Sequence, residues 1–327
     1  MYRKPKHWNW KWLRRRSRQV SAPAVEEPKI GLALGGGFAR GIAHVGVLNV
    51  LERENIPIHC ITGVSAGAIV AAAFASGASL AEIVAAATSM RFGDVAKWGF
   101  SKLGLAGSER MTTFLQRLLK HMQFDQMKIP LGVIATDLRT GQPVEFRDRG
   151  DVAPAIRASC SYPGLFRPVE LDARTLVDGG ITIEVPAHLA RKMGATRVIS
   201  VCIPNQTSFE AGNMLEVLNR SFQIMMAHNE EVWRSQSDIV LLPDVGSIQW
   251  DGFVNAKRMI EAGERAAMEA LPQIRSWLRT APVQTGSMET SPVETSAAAV
   301  TASVTAGGNS RRFGPAHSPD VRLSSPV

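Results

Sequence analysis

The chain has 327 residues, 45% of them apolar and 20% charged, long enough to bury a full core without disulfide staples. Its formal net charge is +8, yet eight of the 37 Lys and Arg stand in residues 1–20, and the remaining positions balance at 29 basic against 29 acidic residues. A neutral body argues against a nucleic-acid enzyme, and Cys60, Cys160 and Cys202 are too few and too scattered for a disulfide framework or a zinc site, which points to a reducing compartment.

Residues 1–28 read as a flexible basic arm carrying Trp8, Trp10 and Trp12 and ending in a Pro/Glu linker. Tryptophans and arginines alternate where the apolar stretch of a signal peptide would be, so the expected location is the cytoplasm. Lys29–Leu34 is an apolar strand running into Gly35, Gly36 and Gly37; a helix follows, with Ala43, Gly46, Val47, Val50 and Leu51 on one stripe. Ile56–Thr62 is a second strand, followed by a helix over Ala66–Ser76. The apolar stretch Ala66 to Ala87 is broken by Ser76, Gly77, Ser79 and Glu82, which predicts two short helices and no membrane span. Further strands are expected at Leu131–Thr136, Val144–Phe146, Val198–Cys202 and Asp238–Leu242, with helical stretches over 209–235 and 254–280. Strands alternating with helices predict an α/β fold, a mostly parallel central sheet with helices on both faces, in a single domain over 29–280. Residues 281–327, rich in Ser, Thr, Ala, Pro and Gly, bury too little to offset ordering and read as a disordered tail.

Three motifs carry chemistry. Gly63-Val64-Ser65-Ala66-Gly67 fits G-x-S-x-G between a strand and an apolar helix, a turn so sharp that small residues are needed two positions either side of the serine. Ser65 is the candidate nucleophile, and the helix N–H groups starting at Ala66 point toward charge developing beside it. The glycine run Gly35–Gly37 lacks the sixth-position glycine of a dinucleotide loop, where Arg40 stands, and lacks the Gly-Lys-Ser/Thr of a phosphate loop. What remains is a set of unhindered N–H groups able to line an anionic hole, or a tight turn. For a base there are two candidates. Asp178, in Leu176-Val177-Asp178-Gly179-Gly180, sits between a short strand and two glycines that leave it open to a hydroxyl; His188 follows ten residues later, within a helical run over Ala187–Lys192.

Gly35-Gly36-Gly37-x-x-Arg40-Gly41, Gly63-x-Ser65-x-Gly67 and Asp178-Gly179-Gly180, in that order, resemble the patatin-like phospholipases, as do Ala135-Thr136-Asp137-Leu138 and the stretch from Ala158-Ser159 to Pro168-Val169. The resemblance implies a Ser65–Asp178 dyad acting on acyl esters of lipids, as a phospholipase A or lysophospholipase does, through an acyl-serine intermediate. It implies an oxyanion hole from Gly35, Gly36, Gly37 and Ala66, with Arg40 ordering the loop and Gly63, Gly67, Gly179 and Gly180 in support. No metal and no cofactor is implied. The alternatives are a thioesterase or peptidase using His188, or a membrane-associated scaffold without activity. The expected partners are a phospholipid or lysophospholipid substrate and an anionic membrane surface, met by residues 1–20 at its cytoplasmic face; no nucleic acid is expected.

Overall fold

Apolar runs that are continuous rather than alternating become the inner strands of one sheet, because a strand covered on both faces has no side for water. The structure is a computed structural model and describes residues 28–204, 212, 214–249 and 251–279; the basic arm and the C-terminal tail lie outside the described residues. The strands are β1 (Ile30–Leu34), β2 (Cys60–Val64), β3 (Lys97–Ser101), β4 (Gly104–Gly107), β5 (Leu131–Asp137), β6 (Pro143–Phe146), β7 (Val169–Leu171), β8 (Arg174–Asp178), β9 (Arg197–Val201) and β10 (Ile239–Leu241). The helices are α1 (Ala43–Arg53), α2 (Ala66–Ala75), α3 (Leu80–Ser89), α4 (Phe92–Val95), α5 (Glu109–Leu118), α6 (Val152–Ser159), α7 (Ala187–Lys192), α8 (Met214–Ala227), α9 (Glu230–Arg234) and α10 (Ala256–Leu278).

Among the described residues, eight strands form one sheet in the order β10-β9-β1-β2-β5-β8-β7, with β6 also paired to β5. From β10 to β5 every pairing is parallel; β6, β7 and β8 add antiparallel pairs at one side. β1, β2 and β5 are buried along their whole length. Alternation decides which face each residue serves: Leu32 and Leu34 join the large cluster under α1, α2 and α10, whereas Ala33 points the other way, to Val185, Ala187 and Trp233 of the layer built by α7 and α9. Helices therefore cover both faces, as expected for this α/β architecture.

Several expectations shift. The second strand begins at Cys60, not Ile56, because the Ile56 N–H closes the end of α1 on the Leu51 carbonyl and Pro57 has no N–H to give a ladder. The apolar stretch from Ala66 is two helices, α2 and α3, with Gly77 between them at φ 86°, and no described helix is long and apolar enough to cross a membrane. The helix expected over 209–235 is two, α8 and α9, and part of its first turn lies outside the described residues. The strand ending at Asp178 is antiparallel to β5, and the β3–β4 hairpin and β7 were not foreseen.

Candidate active site

Ser65 joins the last residue of β2 to the first of α2 at φ 52°, ψ −127°, a conformation that strains any residue with a Cβ. Two close approaches hold it there. A Cβ on Gly63 would lie 2.5 Å from Ala68 Cα, and one on Gly67 would lie 2.4 Å from the Leu34 carbonyl oxygen, so the chain folds this tightly only with glycine at both places. The Ser65 N–H donates to Ser159 Oγ at 2.8 Å, from the buried end of α6.

Sheet register brings the carboxylate level with the serine. Val64 pairs with Ile134 and Ala135 pairs with Asp178, so Ser65 and Asp178 occupy the same row on either side of β5. The chain then crosses β5 at Gly179, where a Cβ would meet the Ile134 carbonyl oxygen at 2.2 Å and Val64 Cγ2 at 2.7 Å. The first glycine of the D-G-G motif is thus the condition for Asp178 to approach Ser65.

Asp178 is buried. Its Oδ1 accepts from the Gly180 N–H at 2.8 Å, and its backbone carbonyl accepts from Thr136 Oγ1 at 3.0 Å. Its Oδ2 is buried with no hydrogen bond of standard geometry, although the Ser65 hydroxyl is near enough to pull the carboxyl pKa down. Burial outweighs that pull and the Gly180 bond, and raises the pKa from an ordinary 3.8 to about 7. A carboxyl group that titrates near 7 is matched to proton transfer at neutral pH.

The glycine loop divides its labour. The Gly35 N–H donates to the Val201 carbonyl of β9 at 2.9 Å and so extends the sheet; it is not available as an oxyanion donor, a correction to the expected set. The Gly35 carbonyl accepts from His44 Nε2 at 2.9 Å. Since a carbonyl only accepts, Nε2 carries the proton; burial lowers the His44 pKa to about 4, leaving Nδ1 a bare, buried acceptor. The Gly36 N–H reaches the Glu184 carbonyl only at 3.4 Å, and among the described residues the N–H groups of Gly37 and Ala66 have no partner. Gly36 also faces the serine: its Cβ would stand 3.6 Å from Ser65 Cβ, while one on Gly37 would strike Ile203 at 2.9 Å. Arg40 is buried beside the loop, with Nη1 donating to the Pro204 carbonyl at 3.0 Å and Nε unpartnered.

Two cavities meet at Ser65. One, of about 200 Å³, contains Asp178, Gly36, Gly37 and Arg40, and is walled on one side by Asn219, Gln223 and Met226 of α8. Tyr162 ties that wall down, its hydroxyl donating to Asn219 Oδ1 at 2.9 Å. The other, of about 80 Å³, runs behind Ala66 and is lined by apolar side chains such as Ile69, Val70, Met111 and Phe114. His188 is in neither. It bonds Glu145 of β6 at 3.3 Å from α7, whose buried side chains belong to the layer with Ala33 and Trp233, so it is not placed to act on Ser65. No group of three or more His, Cys, Asp and Glu side chains converges on a metal site among the described residues.

Sequence reasoning missed Ser159 and His44 as supports. Each acts through a hydrogen bond across the fold, and neither bond leaves a trace in local spacing.

A family model described as patatin-like phospholipase matches residues 32–191. An uncharacterized NTE family protein of Mycobacterium bovis is 35% identical over 181 residues, which is 54% of this chain and 49% of that protein. Patatin-like phospholipase domain-containing protein 6 of Mus musculus is 28% identical over 246 residues, 71% of this chain and 17% of that protein. The chain spans about half the length of these mycobacterial relatives. Among solved structures, VipD from Legionella pneumophila aligns with 76% of this chain and 67% of its own, at 15% identity and a TM-score of 0.44. The matched segment contains the strand-end glycine loop, the serine elbow and the D-G-G aspartate, and over that segment the chain is similar to the patatin-like phospholipases.

Proposed function

We propose that this protein is a lipid acyl hydrolase, of phospholipase A or lysophospholipase type, working through a Ser65–Asp178 dyad. The observation that carries the reading is the pairing of a strained, half-buried serine with a buried carboxyl group whose Oδ2 has no other partner and whose pKa is raised to about 7. Asp178 takes the Ser65 proton as Oγ attacks the ester carbonyl. The N–H groups of Gly37 and Ala66, with the weakly engaged one of Gly36, stabilise the tetrahedral oxyanion, and one such donor is worth about 3 kcal/mol in other acyl-transfer enzymes. The alcohol leaves with the proton held on Asp178, and water, deprotonated by the same carboxylate, then hydrolyses the acyl-Ser65 intermediate. The apolar cavity takes the acyl chain, and the larger one, with Arg40, Asn219 and Gln223 in its walls, takes the polar leaving group.

The catalytic domain in this reading runs over 29–280, and the arm of residues 1–20, with its eight basic side chains, holds it at an anionic membrane on the cytoplasmic side. The test of the chemistry is labelling with a fluorophosphonate followed by peptide mapping. The expected adduct is on Ser65; labelling elsewhere, or none on folded protein, removes the reading.

A further inference from the structure

Helix α8 carries apolar side chains on its outer face as well as on the face toward the cavity. A helix at the surface of a globular protein turns its apolar stripe to the core and its polar face to water. Here Glu216, Asn219 and Gln223, with Leu218 and Met226, face the cavity that holds Ser65 and Asp178. Val217, Ile224 and Met225, on the other side, are 46%, 48% and 60% exposed, and Met214 is exposed as well. Single exposed apolar residues need no explanation, but a stripe at i, i+7 and i+8, with Met214 a further turn along it, does.

Two more exposed apolar groups lead back to the same site. Trp98, 64% exposed on the β3–β4 hairpin, lies 4.9 Å from the Phe92 ring, which is 6.1 Å from Phe38. Val254, 96% exposed, follows Phe253, whose ring meets Phe38 edge-on at 5.8 Å. Phe38 lines both cavities at Ser65. The hairpin also exposes Leu103 beside Lys102, and Lys97 beside Trp98, the mixture of aromatic, aliphatic and cationic side chains that suits the boundary between water and lipid.

We infer that the outer face of α8, with Trp98 and Val254, is the surface by which the domain inserts shallowly into a lipid layer, so that substrate passes from that layer along α8 into the cavity. The occupant is a lipid surface because its apolar groups come from three separate elements, with Lys97 and Lys102 beside them, a mixture that a fluid layer accommodates without matching its shape. A second protein copy would need a continuous complementary patch. The inference rests on the acyl-hydrolase reading for the direction of substrate, but the surface itself does not depend on catalysis. Its contribution is apolar, and thereby distinct from that of the basic arm, which salt screens.

The experiment is co-flotation of the full chain with vesicles of diether phosphatidylcholine, which carry no net charge and no ester, in half-molar salt. The wild type is expected to float with the vesicles. Val217→Gln with Ile224→Gln, on the outer face of α8, is expected to lower the vesicle partition coefficient roughly tenfold or more, and Trp98→Ala to lower it less. Turnover of a soluble short-chain nitrophenyl ester is measured in parallel, and the double variant is expected to keep it, which also shows that it folds. Equal flotation of wild type and double variant, or no flotation of the wild type, overturns the inference. So does a wild-type dimer that the double variant turns into a monomer, since a second copy would then cover the face. Flotation that depends on α8 without any ester turnover by the wild type would leave the surface standing and remove the hydrolase reading instead.

Discussion

Replacing Asp178 by Asn should abolish catalysis and stabilise the fold, and the stabilisation should depend on pH. In the unfolded chain the carboxyl has its ordinary pKa of 3.8; in the folded protein, burial raises it to about 7. Between those values the folded state holds a proton that the unfolded chain has released. Unfolding free energy therefore falls as pH rises through this window, and levels off above it. At about 1.4 kcal/mol per pKa unit, the ionised carboxylate costs on the order of 4 kcal/mol at pH 8 and under about 2 kcal/mol at pH 5. An amide keeps the bond from the Gly180 N–H to Oδ1, stays uncharged and has the same shape. Urea unfolding of wild type and Asp178→Asn at both pH values isolates the effect, because every other titrating group is common to the pair. The variant should gain several kcal/mol at pH 8 and markedly less at pH 5. A variant less stable than wild type at pH 8, or a gain equal at both pH values, would refute the assignment of a costly buried carboxylate. The same ionisation gates the reaction: kcat/KM for a soluble ester should rise with pH through an apparent pKa near 7 in the wild type.

Ser65→Gly should be inactive and about 1 kcal/mol more stable in thermal unfolding, since glycine occupies φ 52° without strain; a destabilised variant would mean that the elbow is not strained. Ser159→Ala removes the acceptor of the Ser65 N–H, and should cost about 1–3 kcal/mol in urea unfolding while lowering kcat with KM little changed; unchanged kcat would make Ser159 a packing residue only. At Gly36 a methyl group has room at 3.6 Å from Ser65 Cβ, so Gly36→Ala should retain measurable esterase activity whereas Gly36→Val, reaching further, should not; equal activities would show that the position does not face the nucleophile.

What was legible in the sequence is what local geometry demands. Gly63 and Gly67 are required by backbone contacts within the elbow and with the adjacent β1 strand end, so the motif announces Ser65. The alternation of apolar runs and helical stripes announces the layered sheet, because burial on two faces favours apolar residues on both sides of β1, β2 and β5. The remainder depends on distant partners. Gly35 and Gly37 are the same residue in the same run, and only the pairing of β1 with β9 decides that the first spends its N–H on Val201 while the second keeps its own. The raised pKa of Asp178 follows from the burial that the folded chain imposes, and no neighbour in sequence encodes it. His188, ten residues after Asp178, suited a familiar chain order but lies on α7 with Glu145 as its partner. The exposed apolar face of α8 was invisible for another reason: periodicity identifies a stripe and says nothing about which side meets the core.

The costs of the site gather at one cavity, where a strained serine, a desolvated carboxyl group and N–H groups without partners come together from the ends of β1, β2 and β8. Each would relax if its surroundings could move, so the question is what holds them. The answer runs through α1. A Cβ on Gly46 would fall 1.9 Å from the Ile260 carbonyl oxygen, and one on Gly263 would fall 1.9 Å from that of Ala43, so α1 and α10 touch backbone to backbone. His44, in the first turn of α1, is thereby fixed and holds the Gly35 carbonyl by Nε2. With Gly35 anchored on one side by β9 and on the other by His44, rotation of the next peptides is restricted, and Gly37, whose N–H has no partner among the described residues, lines the cavity shared with Ser65. A dense contact between two helices remote from Ser65 thus supplies rigidity to the glycine loop proposed as the oxyanion site, and a site built this way should tolerate loss at its surface better than loss at the α1–α10 crossing.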